Sequence, residues 1–291
     1  MLRAAEADAL CARAYEECGG PEASAALVAV GGYGRSELAP YSDLDVVLVS
    51  DEGVDIRTVA ERVWYPIWDS GARLDHSVRT LPEMLAAADA DLKVALGLLD
   101  VRHLAGDPGL TLRLRTTMLA HWRRGARERL PALRDLVGSR HELVGELAHL
   151  SVPDVKEAEG GLRDATVLKA LVATWLVDVP HVELERTRLE LLDVRDVVHE
   201  VAGRASERIA PELWPDLAGG LKLPDAGAAQ VHVRELGRRI AHLSHLTWRR
   251  VDAVLARPAS YRGPRRPDLT PLAPGVALAS GEVVLDRRAR P

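Results

Sequence analysis

Phenylalanine is absent from this 291-residue chain, and only four of its 38 basic residues are lysine: Lys93, Lys156, Lys169 and Lys222. Both scarcities read as codon bias in a GC-rich genome, not as functional signals. Cysteine is scarce too. Cys11 and Cys18 lie on a segment with helical spacing, where they can share a face, and two thiols make no disulfide framework. No apolar run approaches the ~18 residues of a membrane span. The opening segment, MLRAAEADALCARAYEECGG, is a charged amphipathic helix without the apolar centre of a signal peptide. These absences lead us to expect a cytoplasmic protein with no membrane partner. A net charge of −5 excludes a broad nucleic-acid footprint, so no nucleic acid is expected as a partner. What is present is 47% apolar residues, enough to build a substantial core at this length.

The apolar pattern changes along the chain. Ala25–Val30 is a short apolar run ending in Gly31-Gly32, which predicts a buried strand entering a tight turn. Leu44–Val49 predicts a second buried strand and Leu74–Val78 a third, with a helix from Asp55 to Trp68 between them and Gly71 stopping it. Helices are expected over Leu81–Ala88 and Leu92–Leu104. Gly106-Asp107-Pro108-Gly109 breaks the pattern, so we place a first domain at 1–106 and a helical domain at 107–257. The latter should hold helices over Leu110–Arg127, Leu130–Leu150, Leu162–Val177, Arg186–Gly203 and Val231–Leu255. Residues 258–291 are Pro- and Arg-rich, then apolar at Val276–Leu285, which reads as a linker and a short hairpin around Ser280-Gly281.

The chemistry concentrates in GGYGRSELAPYSDLD, Gly31–Asp45. Asp43 and Asp45 open a strand two residues apart, so their side chains share a face. Two carboxylates so placed suit Mg²⁺, which takes oxygen ligands from one or two carboxylates plus substrate phosphates. An isolated SDLD more often only caps and solvates a turn. The upstream residues change that reading. Gly31 and Gly32 let backbone N–H groups approach an anion, Arg35 brings a guanidinium fork and Ser36 a hydroxyl. A helical turn over Arg35–Leu38 would add further donors. Arg35 is expected in an exposed loop, where its loss should impair nucleotide use more than folding.

This segment resembles the nucleotidyltransferase signature of the polymerase-β-like superfamily. More narrowly, it is similar to the uridylyltransferase/uridylyl-removing enzymes that modify the nitrogen-signalling protein PII. LDHSVRT (Leu74–Thr80), LLDVRHLAGD (Leu98–Asp107) and VPDVKEAEGGLRD (Val152–Asp164) extend the resemblance in order over more than half the chain. It implies an α+β fold: a polymerase-β-like head with a small mixed sheet, followed by a helical domain forming the far wall of a cleft. It implies Asp43 and Asp45 as metal carboxylates, Asp75 as the candidate third, and Gly31, Gly32, Arg35 and Ser36 as triphosphate ligands. Lys156 or Arg163 would neutralise triphosphate charge across the cleft. The reaction implied is Mg²⁺-dependent transfer of UMP from UTP to PII, or of AMP from ATP in an adenylylating relative. The alternative is a catalytically silent nucleotide-binding module.

The family's hydrolase half uses a His-Asp metal motif, and none of the ten histidines here precedes an aspartate. That hydrolase and the family's ligand-sensing domains are therefore expected to lie outside this chain. His76 reads as a structural hydrogen-bonding residue, and Glu146 with His149 as surface neighbours. The six tryptophans, scattered singly, read as core or helix-packing residues and not as a base-stacking platform.

Overall fold

Ala25–Ala29 (β1, AALVA) is buried along its whole length, as befits a strand paired on both edges and covered by helices. In the computed structural model, which describes residues 2–257, 269–279 and 282–285, β1 is an inner strand of a four-stranded sheet. Its neighbours are β2 (Leu44–Ser50), β3 (Leu74–Thr80) and β4 (Arg102–Gly106), in the order β3-β2-β1-β4. β1 runs antiparallel to β2 and β4, while β2 and β3 are parallel, with Asp45 in register with Asp75. A parallel pair needs a crossover, here α3 (Arg57–Asp69), and α1 (Leu2–Glu17) packs beside it. Their apolar faces, with Tyr15, Val63, Trp64 and Ile67, close over Leu27, Val46 and Leu48. The sheet is therefore mixed, and the fold class is α+β with a helical second half.

After β3, Thr80 and Glu83 form a capping box that opens α4 (Leu81–Ala90). The expected helix over Leu92–Leu104 is corrected. It stops early as α5 (Leu92–Gly97), and Arg102–Gly106 is β4, bulged against β1. The pairing edge offered by β1 decides this, overriding local helical spacing.

The expected domain boundary falls between β4 and α6 (Pro108–Arg124), inside a compact unit of residues 1–247. There follow α7 (Ala126–Val144), α8 (Leu162–Ala173), α9 (His181–Ala202), α10 (Trp214–Gly220) and α11 (Ala226–Leu255). α7 and α8 end earlier than expected. Gly145 takes φ +90 just past α7, and Trp175 takes a left-handed φ of 62 just past α8. α10 was not expected. Trp64, Trp122, Trp214 and Trp248 are buried as expected, but Trp68 and Trp175 are exposed. Arg123 lies over the Trp175 ring, 3.7 Å from its centroid.

Residues 248–291 form a second unit. In it β6 (Val276–Ala279) and β7 (Glu282–Leu285) are the two arms of the expected hairpin, whose turn lies outside the described residues. β5 (Leu269–Ala273) adds an edge strand in what read as linker, and its register shifts near Pro271. An edge is where a strand tolerates proline. The rest of the expected linker, 258–268, lies outside the described residues.

Candidate active site

The path from β1 to β2 builds the site. β1 ends at a helical turn, α2 (Gly31–Gly34), placed four residues earlier than the sequence suggested. Gly31 has φ +58, and a Cβ built there would lie 3.1 Å from Asp45 Oδ2. Its left-handed backbone and the nearby carboxylate both favour glycine. Gly32 faces open space, whereas a Cβ on Gly34 would strike the Asp100 carbonyl at 1.8 Å. One loop thus uses its glycines for conformation, for access and for packing. The N–H groups of a first helical turn have no partner inside the helix, so Gly31 and Gly32 present donors. The Val30 N–H donates to the Asp45 carbonyl at 3.0 Å, which ties this turn to the start of β2.

Asp43 precedes β2, Asp45 is its second residue, and Asp75 occupies the register position beside Asp45 on β3. Asp43 and Asp75 are exposed and Asp45 is half-buried. Burial, then the charges of Asp75 and Asp43, push the Asp45 carboxyl from 3.8 up to about 6, against the opposing pull of Lys156 and Arg35. A carboxylate crowded by two others in partial desolvation is an electrostatic demand for a cation. The donors are all oxygen, the set that suits Mg²⁺. Among the described residues no three ligating groups converge on an ion by themselves, so a cation here would also draw on phosphate oxygens.

These residues line a cavity of about 720 Å³. It brings together Gly31, Gly32, Arg35, Asp43, Asp45, Asp75, Lys156 and Arg163, eight of the nine candidates named from sequence. Ser36 is not in the lining, and its φ is 61.

Arg35 differs from the exposed loop residue expected. Its side chain is 14% exposed and ion-paired to Glu37 at 2.7 Å and Asp100 at 2.8 Å. Glu37 also pairs with Arg188 of α9, and its carbonyl accepts from Arg195 at 3.4 Å. Arg195 in turn grips Glu207 through Nε and Nη2. Burial works to raise the Glu207 carboxyl, yet it sits at about 2. The nearby His199 ring is 3.6 Å away, too far for a hydrogen bond, so the two-pronged Arg195 pair and the Lys156 charge are the stronger pull. Lys156 lies 3.6 Å from Glu207, while Arg163 is held at 2.7 Å by Glu157.

Glu37, Asp100, Arg188, Arg195 and Glu207 escaped the sequence reading. Asp100 lay within a quoted family segment, and Glu37 within the glycine-loop signature. Nothing local marked the α9 arginines. The His76 side chain has no hydrogen-bonding partner among the described residues, contrary to expectation: it is exposed and packs its ring on Trp64 and Trp68. Glu146 and His149 are surface neighbours, as expected.

A carboxylate cluster at a parallel strand end, set against a glycine turn and opening on a cavity lined by lysine and arginine side chains, defines a nucleotidyltransferase head. A family model for the nucleotidyltransferase domain matches residues 13–83. A bifunctional uridylyltransferase/uridylyl-removing enzyme of Streptomyces coelicolor is 50% identical over 278 residues, 91% of this chain and 33% of that protein. Proteins of the same name from Mycobacterium tuberculosis and Corynebacterium glutamicum are 39% and 36% identical, over 95% and 91% of this chain. The chain therefore carries a nucleotidyltransferase domain and is similar over most of its length to one part of the bifunctional uridylyltransferase/uridylyl-removing enzymes. It spans about a third of the length of these relatives.

Proposed function

We propose that this chain transfers a nucleoside monophosphate to a hydroxyl of the nitrogen-regulatory PII protein, using Mg²⁺ and releasing pyrophosphate. The donor is UTP, or ATP in an adenylylating variant of the reaction. The observation that carries the reading is the crowded Asp43–Asp45–Asp75 cluster, sharing one cavity with the Gly31-Gly32 turn and Lys156. The family name of the relatives supports uridylyl transfer, and PII enters from the resemblance.

Asp43 and Asp45 would hold the metal, with Asp75 in register as the third carboxylate. When bound, Mg²⁺ supplies charge neutralisation and orients the phosphates. The N–H groups of Gly31 and Gly32 face the polyphosphate, and Lys156 offsets charge as it develops on the leaving group. The acceptor oxygen bonds to the α-phosphorus while the bond to the bridging oxygen breaks. Pyrophosphate leaves with that electron pair, and the hydroxyl proton passes to solvent. Positioning and charge stabilisation account for most of such catalysis. Arg35 lines the same cavity with its guanidinium fixed by Glu37 and Asp100. No helix among the described residues is long and apolar enough to cross a membrane, which supports a cytoplasmic setting.

The test is incubation with PII, Mg²⁺ and α-labelled UTP or ATP in parallel. Label on PII from one nucleotide supports transfer and names the donor. No label from either, with nucleotide binding intact, favours the silent binding module.

A further inference from the structure

Of the five arginines that line the cavity, four have their charges answered, while Arg79 has no side-chain hydrogen bond or ion pair among the described residues. Arg35 is held by Glu37 and Asp100, Arg163 by Glu157, Arg188 by Glu37 and Glu185, and Arg195 by Glu207. Lys93 differs from those four. It lines the same cavity and is exposed, and among the described residues its side chain has no hydrogen-bonding or ion-pairing partner. Its backbone is fixed all the same: Asp91 caps α5 by accepting from the Lys93 N–H at 2.7 Å. α5 itself packs against both α2, the glycine turn, and α8, the helix beginning at Leu162. An anchored backbone with a free ammonium between these two walls is an arrangement for meeting an anion inside the cavity.

The four lysines of the chain are placed differently. Lys169 lies 3.9 Å from Glu185, and Lys222 follows α10 with a left-handed φ of 57; neither lines the cavity. The other two, Lys93 and Lys156, both do. A compact ammonium on a flexible stem meets phosphate as a point charge from variable directions, where a guanidinium bound to carboxylates has its fork already occupied.

We propose that Lys93 is a further nucleotide-binding residue, pairing with the β- or γ-phosphate of the incoming triphosphate together with Lys156. This rests on the nucleotidyltransferase reading and names a residue that neither the family signature nor the sequence pattern marks.

The test is calorimetric titration of Mg-UTP and Mg-ATP into the wild-type chain, Lys93→Ala and Lys93→Arg, with UMP and AMP as controls. Lys93→Ala should weaken triphosphate binding about tenfold and Lys93→Arg no more than about threefold, with monophosphate affinity unchanged. Because the side chain is exposed, the melting temperature should stay within about 2 °C in both variants. Triphosphate binding by Lys93→Ala equal to wild type would overturn the inference alone. So would equal losses for monophosphate and triphosphate. A wild type that binds neither triphosphate would overturn the nucleotidyltransferase reading, and this inference with it.

Discussion

Asp45 carries a charge that the fold leaves largely uncompensated. Its carboxyl, raised to about 6 by burial and by Asp75 and Asp43, binds a proton more readily in the folded chain than in the unfolded one. As pH rises from about 4 to about 6, ion-free stability should therefore fall, and above that the full penalty remains. Asp45→Asn removes the penalty. In chelator at pH 8 it should melt higher than wild type, and the gap should shrink towards pH 4. A variant that melts lower at pH 8 would mean the carboxylate stabilises the empty site. Arg35 behaves oppositely. Its guanidinium answers Glu37 and Asp100, which are 11% and 25% exposed, so Arg35→Ala strands Asp100 and leaves Glu37 with Arg188 alone. The expected cost is about 3 kcal/mol, read by denaturant unfolding. A loss of nucleotide affinity with unchanged stability would return Arg35 to the exposed role its sequence position suggested.

Between β1 and β2 the glycine turn is an element in which three glycines answer three constraints. Gly32→Ala meets nothing within 4 Å, so the fold should tolerate it while the added methyl intrudes on the cavity. Gly31→Ala must accept φ +58 and crowd Asp45, a strain of about 1–2 kcal/mol. Gly34→Ala collides with the Asp100 backbone and should damage folding most. Melting temperatures ranked Gly32→Ala highest and Gly34→Ala lowest would bear this out, and equal values for all three would refute it. The apolar runs of β1 and β2 were legible because burial on both faces writes a continuous hydrophobic signature. β4 was not: RHLAG has no pattern of its own and becomes a strand because β1 offers it an edge. α10 is short and held by its contacts with α9, so its local pattern stood out little.

At the scale of the molecule, Asp43, Asp45, Gly31 and Gly32, which line the cavity, stood out by residue type and spacing within one short segment, and Lys156 through the family resemblance. The charged wall was not. Glu37 and Arg188 are separated by 151 positions, and Arg195 reaches the Glu37 carbonyl across 158. Such pairs are set by how the head folds against α9, and no local pattern encodes them. Residues 1–247 nonetheless form one unit, so the predicted cleft between head and helices exists as a cavity lined by both.

Nucleotidyl transfer at the Asp43–Asp45 cluster is the central claim, and the mass of PII after incubation with this chain, Mg²⁺ and UTP or ATP tests it most directly. Wild type should add the mass of one nucleoside monophosphate per modified hydroxyl. Asp43→Asn and Asp45→Asn, still folded, should lower the rate by at least ~10²-fold, the scale of losing a principal electrostatic contributor. PII left unmodified by wild type, or modified at undiminished rate by both aspartate variants, would contradict the account.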